Sequence, residues 1–296
     1  MTFRTGYAAL VGRPNVGKST LLNRLIGQKL AITSHKPQTT RHSILGIQSR
    51  ADGQIVYVDT PGIHQRGTKA LNRYLNRTAQ TVLADVDVLL FVVQAGQWTE
   101  EDAAVLRAIA HTGTPVIAVV NKVDTIKKKE ALLPYLAELN GRHAFHAVMP
   151  VSATQGSNCE ALESEVLALL PEGEPIYPED QLSDRPGRFF AAELIREQVI
   201  RRYHKELPYA TSVAIEQFEE KPNATVIHAV IWVERDSQRG ILIGKQGEAL
   251  KAAGTAARKA LEKFFGTKVH LELWVKVKTS WSADETSLNQ LGYGGD

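Results

Sequence analysis

The stretch Gly12-Arg-Pro-Asn-Val-Gly-Lys-Ser19 decides how the amino-terminal half of the chain folds. An apolar, β-prone run precedes it at residues 5–11, and the apolar spacing of residues 20–26 is typical of a helix. A glycine-rich loop between a strand and a helix predicts backbone N–H groups curled around phosphate oxygens. In such a loop Lys18 reaches the β- and γ-phosphates, and the Ser19 hydroxyl can bind Mg²⁺. The sequence therefore predicts a nucleotide-phosphate site here.

A second motif, Asp59-Thr-Pro-Gly62, follows the apolar run at residues 54–58, which predicts a buried strand ending at the same sheet edge. Asp59 is then placed to hold Mg²⁺ through a water. The Gly62 N–H can meet a γ-phosphate, and this residue can change conformation when that contact is lost. Taken alone, the tetrapeptide is equally typical of a surface turn.

The third motif, Asn121-Lys-Val-Asp124, follows another apolar run at residues 115–120, so it too lies at a strand's carboxyl end, where open α/β sheets bind ligands. A carboxylate at Asp124 can accept hydrogen bonds from guanine N1–H and N2–H₂. Adenine lacks this pair of donors and would leave the buried carboxylate unpaired, at a cost of about 1–3 kcal/mol. Val151-Ser152-Ala153 resembles the short loop that places a backbone N–H against guanine O6. The base is predicted to be guanine.

These four motifs in this order resemble the translation-factor-related class of P-loop GTPases, and more specifically the Era family. Three further segments carry that resemblance: Pro37-Gln-Thr-Thr-Arg-His42, Leu271-Glu-Leu-Trp-Val-Lys-Val-Lys278 and Leu291-Gly-Tyr293. The resemblance covers nearly the whole chain and implies an enzyme that hydrolyses GTP to GDP and phosphate. An ATP-using P-loop enzyme is the competing interpretation, and Asn121 and Asp124 disfavour it.

The residues expected to contact GTP all come from the four motifs. They are Gly12, Arg13, Pro14, Asn15, Val16, Gly17, Lys18, Ser19, Thr20, Asp59, Thr60, Pro61, Gly62, Ile63, Asn121, Lys122, Val123, Asp124, Ser152 and Ala153. By resemblance, Thr40 joins Ser19 and the water-linked Asp59 as a Mg²⁺ ligand of the triphosphate state, with Thr39 as the alternative. Lys18, Thr40, Gly62 and Asn15 are the residues expected to promote hydrolysis. Arg41 either approaches phosphate or serves as a solvated surface residue.

Ile63 stands where Ras-like enzymes place the glutamine that orients the attacking water. Isoleucine can neither donate nor accept a hydrogen bond, so backbone groups, another side chain or a partner must position the water. We therefore expect slow turnover. In related enzymes an asparagine matching Asn15 helps to hold a K⁺ ion near the phosphates, so the resemblance also predicts stimulation by K⁺.

Composition is consistent with a soluble globular protein but does not reveal its chemistry. The 296 residues are 43% hydrophobic, enough for packed cores, and carry a net charge of +3. We see no apolar run of membrane-spanning length and no apolar core of a signal peptide, so a cytoplasmic location is expected. The single cysteine, Cys159, is expected to pack rather than react. No Cys/His metal cluster is visible in the sequence.

The order of predicted elements indicates two domains. Strands alternate with helices through residues 1–170, which predicts an α/β domain with a mostly parallel sheet covered by helices on both faces. Four prolines then lie among glycine and acidic residues in a linker at residues 171–188. Residues 189–296 show a different order: helix, two strands, two helices and a strand, with a short tail.

The carboxyl-terminal domain resembles a KH domain of type II in its element order and in the loop Gly244-Lys-Gln-Gly247. Two glycines allow the backbone to approach phosphates and clamp about four nucleotides of a single strand. The expected RNA contacts are Ile243, Gly244, Lys245, Gln246 and Gly247. Between Arg239 and Lys278 there are 9 Lys/Arg against 3 Asp/Glu, a basic stretch expected of phosphate contact. Trp274 and Trp281 are candidates for base stacking, with core packing favoured for Trp274.

The Era resemblance implies which RNA is bound. Such proteins bind the single-stranded 3′ end of 16S ribosomal RNA, assist assembly and maturation of the 30S ribosomal subunit, and use GTP hydrolysis to time binding and release. Some associate peripherally with the inner membrane, and we expect a monomer. The alternative is a GTPase switch whose carboxyl-terminal module binds a protein or a membrane surface instead of RNA.

Overall fold

The computed structural model describes residues 2–36, 39–61, 70–71, 74–75, 85–203 and 206–293. The chain divides into two compact units. The first consists of Met1–Gly67 with Leu75–Asp184, and the second of Thr68–Tyr74 with Arg185–Asp296. No helix among the described residues is long and apolar enough to cross a membrane.

The first unit is built on a six-stranded sheet. Its strands are β1 (Arg4–Val11), β2 (Ile44–Arg50), β3 (Gly53–Asp59), β4 (Val88–Gln94), β5 (Val116–Asn121) and β6 (Ala147–Pro150). Their order across the sheet is β2-β3-β1-β4-β5-β6, and every neighbouring pair is parallel except β2 with β3. The predicted mostly parallel α/β sheet is confirmed, although strand β2 was not among the expected strands.

Four helices of this unit are described: α1 (Lys18–Ile26), α2 (Glu100–Ile109), α3 (Leu132–Asn140) and α4 (Cys159–Leu169). Nearly every residue of the central strands is buried, because both faces of the sheet are covered. On one face Phe91 of β4 packs with Val105 of α2 and Leu139 of α3. Helices α1 and α4 contact β1 and β3.

Residues of the predicted linker lie along the first unit's sheet. The Thr5 N–H donates to the carbonyl of Pro171 (3.0 Å), and the Ile47 N–H donates to that of Leu182 (2.9 Å). The Gln54 amide donates to the Tyr177 carbonyl at 2.8 Å. The backbone of residues 171–182 therefore continues the hydrogen bonding of the domain that precedes it.

The second unit has the predicted order of elements: α5 (Gly187–Arg202), β7 (Ser212–Lys221), β8 (Ala224–Val233), α6 (Asp236–Ile243), α7 (Glu248–Phe265), β9 (Lys268–Val277) and the short α8 (Glu285–Leu288). The sheet order is β7-β8-β9, with β7 antiparallel and β9 parallel to the central β8. Buried residues such as Leu194 of α5, Leu261 of α7 and Ile227 of β8 form one core. The expected α+β domain is confirmed.

The two candidate stacking tryptophans lie in places opposite to those expected. Trp281 is fully buried, and its indole N–H donates to the Ala210 carbonyl at 3.1 Å while its ring stacks on Tyr293. Trp274 is 41% exposed. Alternation along β9 turns Trp274 away from the core, so the interpretation of Trp274 as a core residue is wrong. Trp281 has no exposed face for a base.

Candidate functional site

The glycine-rich loop joins β1 to α1, and its backbone adopts conformations that suit glycine. Gly17 has φ 103°, and a Cβ atom there would lie 2.3 Å from the Asn121 Nδ2 atom. The loop thus approaches the third motif too closely for any side chain at this position. Asn15 also has a positive φ, of 64°.

Lys18 lies folded back inside this loop. Its Nζ donates hydrogen bonds to the backbone carbonyls of Gly12 (2.8 Å) and Arg13 (3.0 Å). Burial lowers the pKa of Lys18 to about 8, an effect that the nearby Asp59 carboxylate partly offsets. The ammonium group therefore remains mostly charged at neutral pH, enclosed by the loop that the sequence predicts to surround phosphate.

The three predicted Mg²⁺ ligands come together at the carboxyl end of β3. The Ser19 hydroxyl donates to Asp59 Oδ2 at 2.6 Å and lies 2.9 Å from the Thr40 hydroxyl. The hydroxyl of Thr39, the alternative ligand, instead donates to the Lys36 carbonyl at 2.7 Å. Geometry therefore favours Thr40 over Thr39.

The surroundings of the Asp59 carboxylate are those of a cation ligand. Its Oδ1 is buried and accepts no hydrogen bond from any described residue. Burial raises the pKa of Asp59 to about 6, although the hydrogen bond from Ser19 and the charge of Lys18 act against this rise. One carboxylate with two hydroxyls forms an oxygen-only set, which is the kind that Mg²⁺ prefers. These residues fit a magnesium ion.

Asn121 of the third motif makes hydrogen bonds to both the glycine-rich loop and the fourth motif. Its amide donates to the Val16 carbonyl at 2.9 Å, and its Oδ1 accepts from the N–H groups of Lys122 (2.8 Å) and Ala153 (3.1 Å). One backbone N–H of the fourth motif, that of Ala153, thus donates to Asn121 in this structure. The Lys122 ammonium donates to the Asn15 carbonyl at 2.6 Å.

Asp124 is exposed, so the expectation of a buried carboxylate is wrong for this structure, and the fourth motif orients the side chain. The Ser152 hydroxyl donates to Asp124 Oδ1 at 2.5 Å. One oxygen of the carboxylate is therefore held by the Ser152 hydroxyl, and Asp124 lies in the turn that follows the carboxyl end of β5. This arrangement suits a carboxylate that must present its acceptors in one direction.

The remaining predicted residues lie in the same loops but play varied parts. Arg13 forms an ion pair with the buried Asp102 (3.1 Å), and the Thr60 hydroxyl donates to the Leu10 carbonyl at 2.9 Å. Arg13 thus anchors the glycine-rich loop to α2, and Thr60 anchors the second motif to β1. Arg41 is buried, so the solvated surface role considered for it is wrong. Gly62 and Ile63 lie outside the described residues.

Arg24 of α1 contacts the fourth motif, and the sequence does not predict this contact. Its guanidinium donates from Nε to the Ala153 carbonyl (2.9 Å) and from Nη2 to the Thr154 carbonyl (2.5 Å). The helix that follows the phosphate loop therefore holds the loop that orients Asp124. No sequence signal could reveal this contact, because its acceptors are backbone carbonyls distant in the chain.

Replacing Arg24 with Gln is expected to weaken GDP binding about three- to tenfold, because two charge-assisted hydrogen bonds that fix the loop are lost. The preference for GDP over inosine diphosphate, which lacks the N2 amino group, should shrink as well. Arg107→Gln, which changes an exposed arginine, is the matched control. Calorimetry measures the affinities for both nucleotides. An unchanged ratio of GDP affinity to inosine diphosphate affinity in Arg24→Gln would contradict a positioning role.

The Gly244-to-Gly247 loop connects α6 to α7 as a tight turn. Gly244 has φ 72° and ψ −177°, a region that only glycine occupies readily, and a Cβ atom there would lie 2.6 Å from Ala249 Cβ. Lys245 and Gln246 are exposed at the tip. The turn therefore presents backbone and two polar side chains to solvent. Ile243 precedes it at the end of α6 and is partly buried.

Comparisons with known proteins match both domains. Residues 7–122 match the family model described as 50S ribosome-binding GTPase, and residues 206–282 match the KH domain model. The chain is 53% identical to GTPase Era of Pseudomonas putida over 98% of this chain and 97% of that protein. It is 54% identical to GTPase Era of Pseudomonas aeruginosa, over 98% of this chain and 95% of that protein.

Two solved structures share the architecture over the whole length. One is a variant of Aquifex aeolicus Era bound to GDP and AlF₄⁻, and the other is Era in complex with MgGDPNP and nucleotides 1506–1542 of 16S ribosomal RNA. Each is 38% identical, covers 99% of this chain and 100% of that chain, and superposes with a TM-score of 0.95. The chain therefore belongs to the Era GTPase family, with a P-loop GTPase domain followed by a KH domain.

Proposed function

We propose that this GTPase is a nucleotide-controlled switch that binds the single-stranded 3′ end of 16S ribosomal RNA and assists assembly of the 30S subunit. The observation that carries the proposal is the exposed turn at Gly244–Gly247, which lies in a KH domain. The same chain also carries the candidate guanine-nucleotide site. The 38%-identical Era structure that contains MgGDPNP and 16S RNA supports it. We further propose a cytoplasmic location with peripheral membrane association, by analogy with the family.

The phosphates of GTP would lie in the loop at Gly12–Ser19, against its backbone N–H groups and the Lys18 ammonium. Ser19, Thr40 and Asp59 would hold Mg²⁺. The metal, when bound, supplies positive charge that offsets the charge developing on the transferred phosphoryl group. Lys18 acts in the same electrostatic way, and its enclosure strengthens the effect because the loop excludes water.

Base selection rests on Asp124, whose two oxygens accept the N1–H and N2–H₂ donors of guanine. Ser152 orients this carboxylate, and Arg24 holds the loop that carries Ser152. Adenine would leave these acceptors unpaired, which costs about 1–3 kcal/mol. Hydrolysis is slow because Ile63 cannot orient the attacking water.

In the proposed cycle the bound triphosphate and Mg²⁺ would order the segment that carries Thr40. Loss of the γ-phosphate would weaken that contact and let the segment relax. A ligand shifts such an equilibrium only through its different affinity for the two states. We propose that GTP favours the state with higher RNA affinity and that hydrolysis permits release.

Sequencing RNA crosslinked to the GTP-bound protein in cells tests the proposed target. Reads concentrated at the 3′ end of 16S RNA are expected. Reads spread over total RNA would contradict the proposed target. Absence of crosslinked RNA, together with a crosslinked protein or lipid, would favour a carboxyl-terminal module that binds a protein or membrane surface.

Stimulation by K⁺ stays a prediction for this site. Asn15 lies in the phosphate loop with its amide donating to the His35 carbonyl at 3.0 Å. We expect turnover about tenfold faster in K⁺ than in Na⁺ at equal ionic strength, a difference of about 1.4 kcal/mol in activation free energy. Asn15→Ala should remove most of that difference. Equal rates of the wild-type protein in the two salts would refute the prediction.

A further inference from the structure

The basic character of the KH domain is concentrated on one helix and its two ends. Of the positively charged side chains between Arg239 and Lys278, four are engaged by neighbours. Arg239 pairs with Asp236 (2.9 Å), Arg258 with Glu262 (2.8 Å), Lys276 with Glu216 (3.0 Å), and Lys278 donates to Gln290 (2.6 Å).

The other lysines of this stretch make no side-chain hydrogen bond or ion pair within the part of the chain that the structure describes, and all of them are exposed. They are Lys245, Lys251, Lys259, Lys263 and Lys268. Lys245 is in the turn before α7, three lie on α7 itself, and Lys268 follows its carboxyl end. The unpaired positive charges are therefore distributed along α7, from the Gly244–Gly247 turn to the carboxyl end of the helix.

Helix geometry places the three lysines of α7 in one band. At about 100° per residue, Lys251, Lys259 and Lys263 fall within about 120° of the helix circumference, and they span about 18 Å along its axis. Two acidic residues share this side, but Glu262 is already paired with Arg258, which leaves Glu248 next to the turn. The band has a net positive charge. It reaches further along the helix than the Gly244–Gly247 turn, which is expected to hold about four nucleotides.

We infer that this lysine band of α7 is a second RNA contact, which binds the phosphate backbone of nucleotides flanking those held at the Gly244–Gly247 turn. The inference rests on the proposed RNA-binding function. Lysines suit this task because they contact phosphates as point charges without reading base identity. The ligand is a single-stranded phosphodiester chain continuous with the strand in the turn, and the contact lengthens the bound tract without adding sequence preference.

The test compares two RNAs with a triple substitution, Lys251→Gln, Lys259→Gln and Lys263→Gln. Glutamine favours helix almost as well as lysine, so α7 should persist. The RNAs are the 16S 3′-terminal segment of about twelve nucleotides and a piece of about four nucleotides that the turn alone can hold. The matched control replaces three exposed lysines elsewhere, Lys127, Lys128 and Lys221, by Gln and changes the net charge equally.

For the triple variant, affinity for the longer RNA should fall about tenfold or more, and the slope of log affinity against log salt should decrease by about 2. Affinity for the short RNA should stay within about twofold, because its clamp is intact. A loss no larger than that of the control variant overturns the inference while leaving RNA binding in place. Failure of the wild-type protein to bind either RNA overturns both the inference and the proposed function.

Discussion

Asp124→Asn is expected to lower affinity for GDP at least about a hundredfold and to create binding of xanthosine diphosphate. In the proposed site the carboxylate would accept from guanine N1–H and N2–H₂, whereas an amide has one acceptor and would point its N–H₂ at the guanine amino group. Losing two hydrogen bonds to a charged acceptor costs about 3 kcal/mol or more. Xanthine carries a carbonyl oxygen at C2, so the amide can pair with it fully.

The gain of xanthosine diphosphate binding is itself the control for Asp124→Asn, because a misfolded variant would lose GDP binding without gaining a new ligand. The Ser152 hydroxyl can donate to an amide oxygen as it does to Asp124 Oδ1, so the side chain should keep its orientation. Fluorescence titration with both diphosphates provides the measurement. Wild-type GDP affinity in the variant, or loss of GDP binding with no gain for xanthosine diphosphate, would show that Asp124 does not select the base.

Gly247→Asp is expected to reduce crosslinking and affinity for 16S 3′-end RNA about thirtyfold or more, while GTP turnover without RNA stays unchanged. A Cβ atom at this position meets nothing within 4 Å, so the domain can accommodate the side chain. The carboxylate would stand where phosphates approach the turn, and repulsion with lost contacts costs about 2 kcal/mol. Gly244 is a poorer choice, because a Cβ atom there collides with Ala249.

The control for this experiment is Gly113→Asp. Gly113 also has a positive φ, of 72° against 81° at Gly247, and also has nothing within 4 Å of an added Cβ atom. Both substitutions therefore place a side chain at a similar positive φ and make the same charge change, and Gly113 lies outside the KH domain. If the two variants bind RNA equally well, the turn does not contact RNA.

The sequence predicts the strands and loops of the nucleotide site because motif residues follow buried apolar runs. Runs such as residues 54–58 and 115–120 become β3 and β5, and their carboxyl ends bring Asp59 and Asn121 to the same edge. The antiparallel β2 is harder to predict, because its sequence, Ile44–Arg50, mixes glycine and polar residues with its apolar ones and forms no continuous apolar run.

Side-chain partners were less predictable than backbone elements. Whether a tryptophan in a strand faces the core depends on which face of the sheet the helices cover. The prediction that Trp274 packs in the core is therefore wrong, although the prediction of its strand is correct. Arg24 donates to the carbonyls of Ala153 and Thr154, which lie near it only in the folded state. The lysine band of α7 is not apparent from the sequence, because the other positive charges of this stretch are engaged by ion pairs and by one hydrogen bond that only the fold reveals.

The most direct test of a nucleotide-controlled RNA switch is the affinity for 16S 3′-end RNA measured with the same protein bound to a non-hydrolysable GTP analogue and to GDP. A coupling free energy of about 1–3 kcal/mol predicts affinity about 5- to 150-fold higher in the triphosphate form. By reciprocity, the RNA must raise affinity for the GTP analogue over GDP by the same factor. Equal RNA affinity in the two forms would contradict the switch.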